Sequence, residues 1–257
     1  MTQRLCLHWV GVATNSDDLE MDASLRLLEG KAADEARDPN EGMRERKKRQ
    51  VRQKISDVAT KLFLVHGFDN VTVAQIAAAA DVSQQTVFNY FTTKESMFFD
   101  RSEAMTNAVA DAVRERGSAS LVDAVVQSMA GEIRPGRWDA LDEAGQLNLF
   151  RRFCDVATGS PTLVAARFAD LPRFIDEVSM ALAQRIGADP NDPEVQLATL
   201  LIAGLARVRL ESTFHHVQQA TSIAALNDSV RRDILKAAQL AKPSLSAFDN
   251  LRATAHD

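Results

Sequence analysis

The side chains best suited to specific recognition lie in one short stretch, which begins at Ser83 and ends at Phe91. Val87 and Phe91 are four residues apart and mark one apolar side of a helix, so the polar residues between them fall on or beside the other side. These polar residues are Gln84, Gln85, Thr86, Asn89 and Tyr90. Amide and hydroxyl groups hydrogen-bond to base edges and phosphates, and glutamine and asparagine pair with adenine through two hydrogen bonds. The stretch therefore predicts a surface that reads nucleic acid.

A second short helix must precede this surface to position it. Thr72 is a typical N-cap residue, and the apolar residues that follow it have helical spacing. Asp81 and Val82 form a tight turn, and Ser83 is the next N-cap residue. Two short helices joined by a turn of about three residues have the spacing of a helix-turn-helix, whose second helix enters the major groove.

Charge is distributed unevenly along the chain. The net charge is −5, yet residues 43–61 carry eight basic and two acidic side chains. A local positive segment on an acidic chain is typical of a DNA contact, and we expect Lys48 to reach a phosphate. The alternative is that the run from Arg44 to Arg49 is a solvated helix start.

From Lys47 to Arg101 the sequence resembles the tetracycline-repressor (TetR) family of bacterial regulators. The resemblance rests on the helix end at Gly67-Phe68, on Thr-x-x-x-Ile-Ala at residues 72–77, and on Val-Ser-x-x-Thr at 82–86, which continues to Phe91-x-x-Lys94-Glu95.

The resemblance implies a role for each matching residue. Thr72 touches a phosphate, and Tyr90 and Lys94 hold the DNA backbone. The residues that face bases are Gln84, Gln85, Thr86 and Asn89. The sequence departs from the family at Phe88, where tyrosine is frequent, and at Asp81, where glycine is usual. Aspartate tolerates left-handed backbone, so the turn is expected to survive.

The remaining chain is predicted to be helical, which makes the fold all-α: an N-terminal helix-turn-helix module and a C-terminal helical dimerisation and effector domain. Helices are expected near 93–116, 120–133, 138–157, 161–187, 193–216 and 222–241, with Pro172 kinking or dividing the fourth of these. The expected units are an acidic, disordered extension at 1–42, the DNA-binding domain at 43–101, the ligand-binding and dimerisation domain at 102–242, and a flexible tail at 243–257.

Residues 1–42 have no sustained helical or strand period, and two interpretations stay open. The segment is either a real acidic tail, or translation starts at Met43. We expect no signal peptide and no membrane span, and we interpret Cys6 and Cys154 as free thiols in a reducing cytoplasm.

Several large apolar residues in the C-terminal part are candidates for lining an effector pocket, although a plain hydrophobic core is the alternative for each. They are Met129, Phe150, Phe153, Phe174 and Met180, with Trp138 and Phe168 as further candidates.

The expected homodimer has a basis in the sequence. Residues 195–206 are apolar almost all round a helix, so more than one face must be buried. The interface residues predicted on this helix and the next are Leu201, Leu205, Ile223, Leu226 and Val230. The resemblance implies that the last two helices of two subunits pair, that the dimer binds a pseudo-palindromic operator in double-stranded DNA, and that a small molecule releases it.

No catalytic constellation, cofactor motif or metal site stands out. His215 and His216 are adjacent on a helix and point apart, which disfavours metal binding. The sequence thus predicts a DNA-binding regulator that is not an enzyme. The alternatives are a helical protein-interaction module and a small-molecule-binding protein without a DNA role.

Overall fold

The computed structural model describes residues 42–100, 102–115, 117, 119–130 and 141–249. That part of the chain is helical and contains no strand, as the sequence predicts. The α-helices are α1 (Met43–His66), α2 (Val73–Ala79), α3 (Gln84–Tyr90), α4 (Lys94–Phe98), α5 (Ser102–Glu115), α6 (Leu121–Met129), α7 (Glu143–Gly159), α8 (Pro161–Ala166), α9 (Leu171–Ile186), α10 (Pro193–Val217) and α11 (Ile223–Leu245), followed by a 3-10 helix at Ser246–Asp249.

The N-terminal helices pack around the predicted apolar stripe of α1. Ile55, Ala59 and Phe63 have no exposed surface and contact the buried sides of α2, α3 and α4. Gly67 ends α1 at φ 78°, a conformation that favours glycine, and its N–H donates to Phe63 O over 2.9 Å. Burial of this stripe fixes how α3 is presented at the surface.

The predicted helix at 93–116 is wrong as a single element. The chain forms α4, leaves the helix at Phe99, and starts again at Ser102. The stretch between them holds no proline or glycine, so the sequence gives no local signal for the break. Met97 and Phe98 are buried in the N-terminal core, and that packing orients α4.

A second core fills the C-terminal part, where α5, α6, α9, α10 and α11 pack together. Pro172 lies at the start of α9, so the expected division of 161–187 is confirmed. Gly187 ends α9 at φ 70°, as its position at the end of the apolar pattern predicts.

The predicted tail from residue 243 is wrong at its start. Pro243 lies inside the last turn of α11, and residues 243–249 are helical. Phe248 is buried, and Asp249 Oδ1 accepts a hydrogen bond from Leu121 N over 2.7 Å. These contacts hold the end of the helix against α6. Residues 250–257 lie outside the described part, as do residues 1–41 of the extension predicted at 1–42.

Helix α7 joins the two cores. Arg152 Nε donates to Leu64 O at 3.2 Å, which ties α7 to the last turn of α1. Phe153 stacks on Phe98 with 4.3 Å between ring centroids and 11° between planes. A movement of α7 therefore acts directly on α1 and α4, which pack in the same core as α3. None of the helices in the described ranges has an apolar stretch long enough to cross a bilayer.

Candidate nucleic-acid interface

The turn between α2 and α3 has the geometry of a helix-turn-helix. Ala80 N donates to Ile76 O at 2.9 Å, and Val82 N donates to Ala77 O at 3.0 Å. Asp81 takes φ 54°, and it is the one non-glycine residue with positive φ in the described ranges. Aspartate tolerates this region better than most residues, which explains how the turn forms without the usual glycine.

Both helices of the motif begin at the predicted N-caps. Thr72 Oγ1 accepts from Gln75 N at 3.3 Å, and Gln75 Oε1 accepts from Thr72 N at 2.8 Å, which completes a capping box. Ser83 Oγ accepts from Thr86 N at 3.0 Å at the start of α3. These bonds fix where α3 begins and hence which of its side chains face outward.

The outward side of α3 carries the predicted base-reading residues. Val87 is fully buried, whereas Gln84, Gln85 and Asn89 are exposed and Thr86 is half-buried. Gln85 Nε2 donates to Asn89 Oδ1 at 3.2 Å, so the two amides form one hydrogen-bonded pair one helical turn apart. The structure thus brings these predicted residues onto one surface, and their contact with bases stays a prediction.

Arg52 is a residue that the sequence interpretation missed. Its Nη1 donates to Tyr90 O at 2.8 Å, and its guanidinium carbon lies 4.4 Å above the Phe91 ring. It also pairs with Asp100. Arg52 therefore fastens the C-terminal end of α3, and the residues that follow α4, to α1. Its one sequence signal is a basic residue three positions before Ile55, at the edge of the apolar stripe.

Lys94 has a structural role in addition to the predicted phosphate contact. Its Nζ donates to Phe68 O at 2.9 Å and to Val71 O at 3.0 Å, and it lies 4.1 Å above the Phe68 ring. Two of the three N–H groups of the ammonium are thereby engaged with the loop between α1 and α2. One remains for the predicted phosphate contact.

Replacing Lys94 with methionine is expected to lower the free energy of unfolding by about 2 kcal/mol, because Phe68 O and Val71 O each lose a charged donor. Urea unfolding of the DNA-free protein measures this. Lys54→Met is the matched control, since Lys54 is exposed on α1 and its replacement should change stability by less than about 0.5 kcal/mol. Equal stability of both variants would show that the Lys94 bonds contribute nothing to folding.

The run from Arg44 to Arg49, which we call the basic leader, lies in the first turns of α1. Lys48 and its neighbours from Arg44 to Lys47 are exposed, and Gly42 precedes the helix without a side-chain cap. Tyr90 is half-buried and packs on the N-terminal core. Long, solvated cations beside the motif suit phosphate contacts, which depend on charge rather than on a fixed geometry.

The predicted pocket residues do not form one set. Met129 and Phe174 are buried in the C-terminal core, and Phe150 and Phe153 are half-buried where the two cores meet. Met180 is wrong as a pocket residue because its side chain is 47% exposed. It lies two positions after the buried Val178, which turns it to the opposite side of α9. Trp138 lies outside the described residues.

Cys154 is a free, buried thiol beside this junction. Desolvation by burial, with a smaller contribution from Asp155, raises the pKa of Cys154 to about 12. Because the thiolate is the nucleophile, we expect Cys154 to resist iodoacetamide at pH 8 in the native protein and to react in urea. Peptide mass spectrometry measures this, and rapid native alkylation of Cys154 would contradict the packing.

Three of the predicted dimer residues are wrong, because Leu205, Leu226 and Val230 are buried in the core of their own chain. Leu201 and Ile223 are half-buried beside that core, and their place in an interface stays a prediction. The large apolar residues that α10 and α11 leave exposed are Leu197, Leu200, Leu235 and Leu240. Residues 195–206 are apolar almost all round the helix, so the sequence of this stretch does not distinguish the side that faces the core from the side that faces outward.

The groove between α10 and α11 is rimmed by charges of both signs on the same outer face. Its lining includes Arg207, Glu211, Asp233 and Lys236 beside Val208 and Leu240. Asp233 Oδ2 accepts from Ser212 Oγ at 2.6 Å and lies 2.8 Å from His216 Nε2. These two hydrogen bonds hold the pKa of Asp233 below its usual value, so the groove carries a carboxylate near neutral pH. No cluster of metal-ligating side chains occurs among the residues that the structure describes.

Comparison with known proteins agrees with this geometry. Residues 55–100 match the family described as bacterial regulatory proteins, tetR family. The chain is 28% identical to the HTH-type transcriptional regulator TcmR of Streptomyces glaucescens, over 59% of this chain and 67% of that protein. It is 26% identical to the mycofactocin biosynthesis transcriptional regulator MftR of Mycobacterium tuberculosis, over 65% of this chain and 82% of that protein.

Among solved structures, the chain is similar to Thermus thermophilus FadR, a tetR-family repressor in complex with lauroyl-CoA. The identity is 21% and the TM-score 0.44, over 74% of this chain and 92% of that one.

Proposed function

We propose that this chain, a DNA-binding transcriptional regulator of the tetR family, acts as a cytoplasmic, homodimeric repressor. A small molecule releases the repressor from its operator. The observation that carries the DNA-binding role is the exposed amide surface of α3, which caps and core packing hold in place. We assign DNA binding to residues 43–101 and effector binding and dimerisation to 102–242.

The contacts with DNA divide into two kinds. Gln84, Gln85, Thr86 and Asn89 are assigned to base edges, because they lie on or beside the outward side of α3. The residues assigned to the DNA backbone are Thr72, Tyr90, Lys94 and Lys48. Backbone contacts position the protein on any sequence, whereas base contacts select one.

The second copy of the chain is placed on the outer face of α10 and α11, which we define by Leu197, Leu200, Leu235 and Leu240. These side chains are apolar and exposed, and a rim of opposite charges lies beside them. A two-fold axis through such a face can place acidic groups of one subunit opposite basic groups of the other. The dimer then presents two helix-turn-helix modules, one to each half-site of a pseudo-palindrome.

Release by an effector requires a physical link between the two cores, and α7 supplies one. The Phe98–Phe153 stack and the Arg152–Leu64 hydrogen bond connect the C-terminal helices to α1 and α4. A ligand that binds better when α7 is displaced would shift the dimer to a form whose α3 helices no longer fit the operator. Phe150 and Phe153 are the pocket candidates that lie at this junction.

Selection of bound sequences from a random duplex pool tests the proposal. The purified full-length chain should enrich one sequence with two inverted half-sites, whose centres lie about one helical turn apart or a multiple of it. A duplex carrying that sequence should then shift in a gel at lower protein concentration than a scrambled duplex. Failure to enrich any sequence would contradict the proposed function.

A further inference from the structure

One side chain on α3 does not fit a surface made for hydrogen bonding. Phe88 is 48% exposed, and no other phenylalanine or tyrosine in the described ranges is as open to solvent. It lies one position after the buried Val87 and one before the exposed Asn89, on the flank of the helix that Gln84 shares. Nothing in the N-terminal core requires an aromatic ring at this position.

We infer that Phe88 is a specificity-determining residue that packs on the C5 methyl group of a thymine in each half-site. This inference rests on the proposed function. An apolar side chain in the major groove gains by covering apolar surface, and the thymine methyl is the apolar group that base pairs present there. Since phenylalanine has no hydroxyl, it cannot hydrogen-bond to a phosphate, and its contact with DNA must be an apolar one.

The neighbours of Phe88 support a base contact rather than a contact with the sugar-phosphate backbone. Gln84 is one helical turn before it, and the hydrogen-bonded Gln85–Asn89 pair occupies the outward side next to it. The ring therefore lies beside amides that suit base edges. A thymine read by Phe88 would lie next to the base pair that this amide pair reads.

Single replacement of each thymidine in the selected operator by deoxyuridine tests the inference, because it removes only the methyl group. At one thymidine per half-site, the wild type should bind about fourfold more weakly, the value of one buried methyl-sized group. Phe88→Ala should bind the unmodified operator more weakly by at least that factor, and should be indifferent to deoxyuridine at that position.

Two matched variants complete the experiment. Phe88→Tyr keeps the ring and should keep the sensitivity to deoxyuridine. Val65→Ala removes an exposed apolar side chain of α1 away from α3 and should leave all affinities unchanged. Because Phe88 is exposed, its variants should fold, and circular dichroism checks this.

Wild-type indifference to every deoxyuridine would overturn the inference, and so would unchanged sensitivity in Phe88→Ala. Either result leaves the proposed function intact, since the operator is still selected. If no sequence is enriched from the random pool, the proposed function fails and this inference fails with it.

Discussion

Replacing Leu200 with aspartate is expected to convert the dimer into folded monomers. Leu200 is 54% exposed and lies three positions after Leu197, which is 58% exposed, on the outer face of α10. In an isologous interface the substitution acts twice, and a loss of about 2 kcal/mol on each side weakens association by roughly a thousandfold. Operator affinity should fall with it, because a monomer reaches only one half-site.

Sedimentation velocity at micromolar concentration measures the first effect, and a mobility shift with the selected operator measures the second. Met180→Asp is the matched control, because it places the same charge at an exposed apolar position of α9. It should remain dimeric. An intact Leu200→Asp dimer would show that the subunits pair through another surface.

Leu205→Asp should behave differently from Leu200→Asp. Leu205 is only 3% exposed and belongs to the core of its own chain, so the buried charge should unfold the subunit. Circular dichroism separates the two outcomes. The contrast between the variants tests which side of α10 faces the core and which side faces the second copy.

Local chemistry explains what could be predicted from the sequence. Thr72 and Ser83 cap helices because their hydroxyls accept from nearby backbone N–H groups, and Gly67 and Gly187 end helices because they adopt positive φ. Each of these effects depends on residues a few positions apart, so the local order of residue types is enough to predict where a helix starts or ends. Asp81 was predictable for the same reason.

The features that could not be predicted depend on contacts between distant residues. The orientation of α4 depends on burial of Phe98 in the N-terminal core, and Lys94 is turned inward by carbonyls that lie more than twenty positions away. Arg52 donates to the carbonyl of Tyr90, which lies 38 positions further along the chain. Rules based on residue spacing do not cover such separations. Residues 195–206 of α10 are apolar almost all round, so their pattern does not determine which side of the helix faces the core.

Replacing Asn89 with alanine is expected to weaken operator binding by about 1–3 kcal/mol and to relax selection at one base pair in each half-site. Asn89 is exposed, and its amide is paired with Gln85 in the free protein. On DNA, the Gln85–Asn89 pair must either open or bind as a unit. The substitution therefore removes the donor and the acceptor of Asn89, and it also removes the group that positions the Gln85 amide. Affinity for a scrambled duplex should hardly change.

Lys48→Ala provides the matching control for a contact without sequence information. Lys48 is exposed in the basic leader and, unlike Lys94, has no described bond to a carbonyl, so its loss should leave folding intact. It should weaken binding to the operator and to the scrambled duplex by the same factor. The slope of log affinity against log salt concentration should become smaller by about one unit. Titrations of both variants on both duplexes at several salt concentrations separate the two effects. If Asn89→Ala lowered both affinities equally, α3 would not be the helix that reads the sequence.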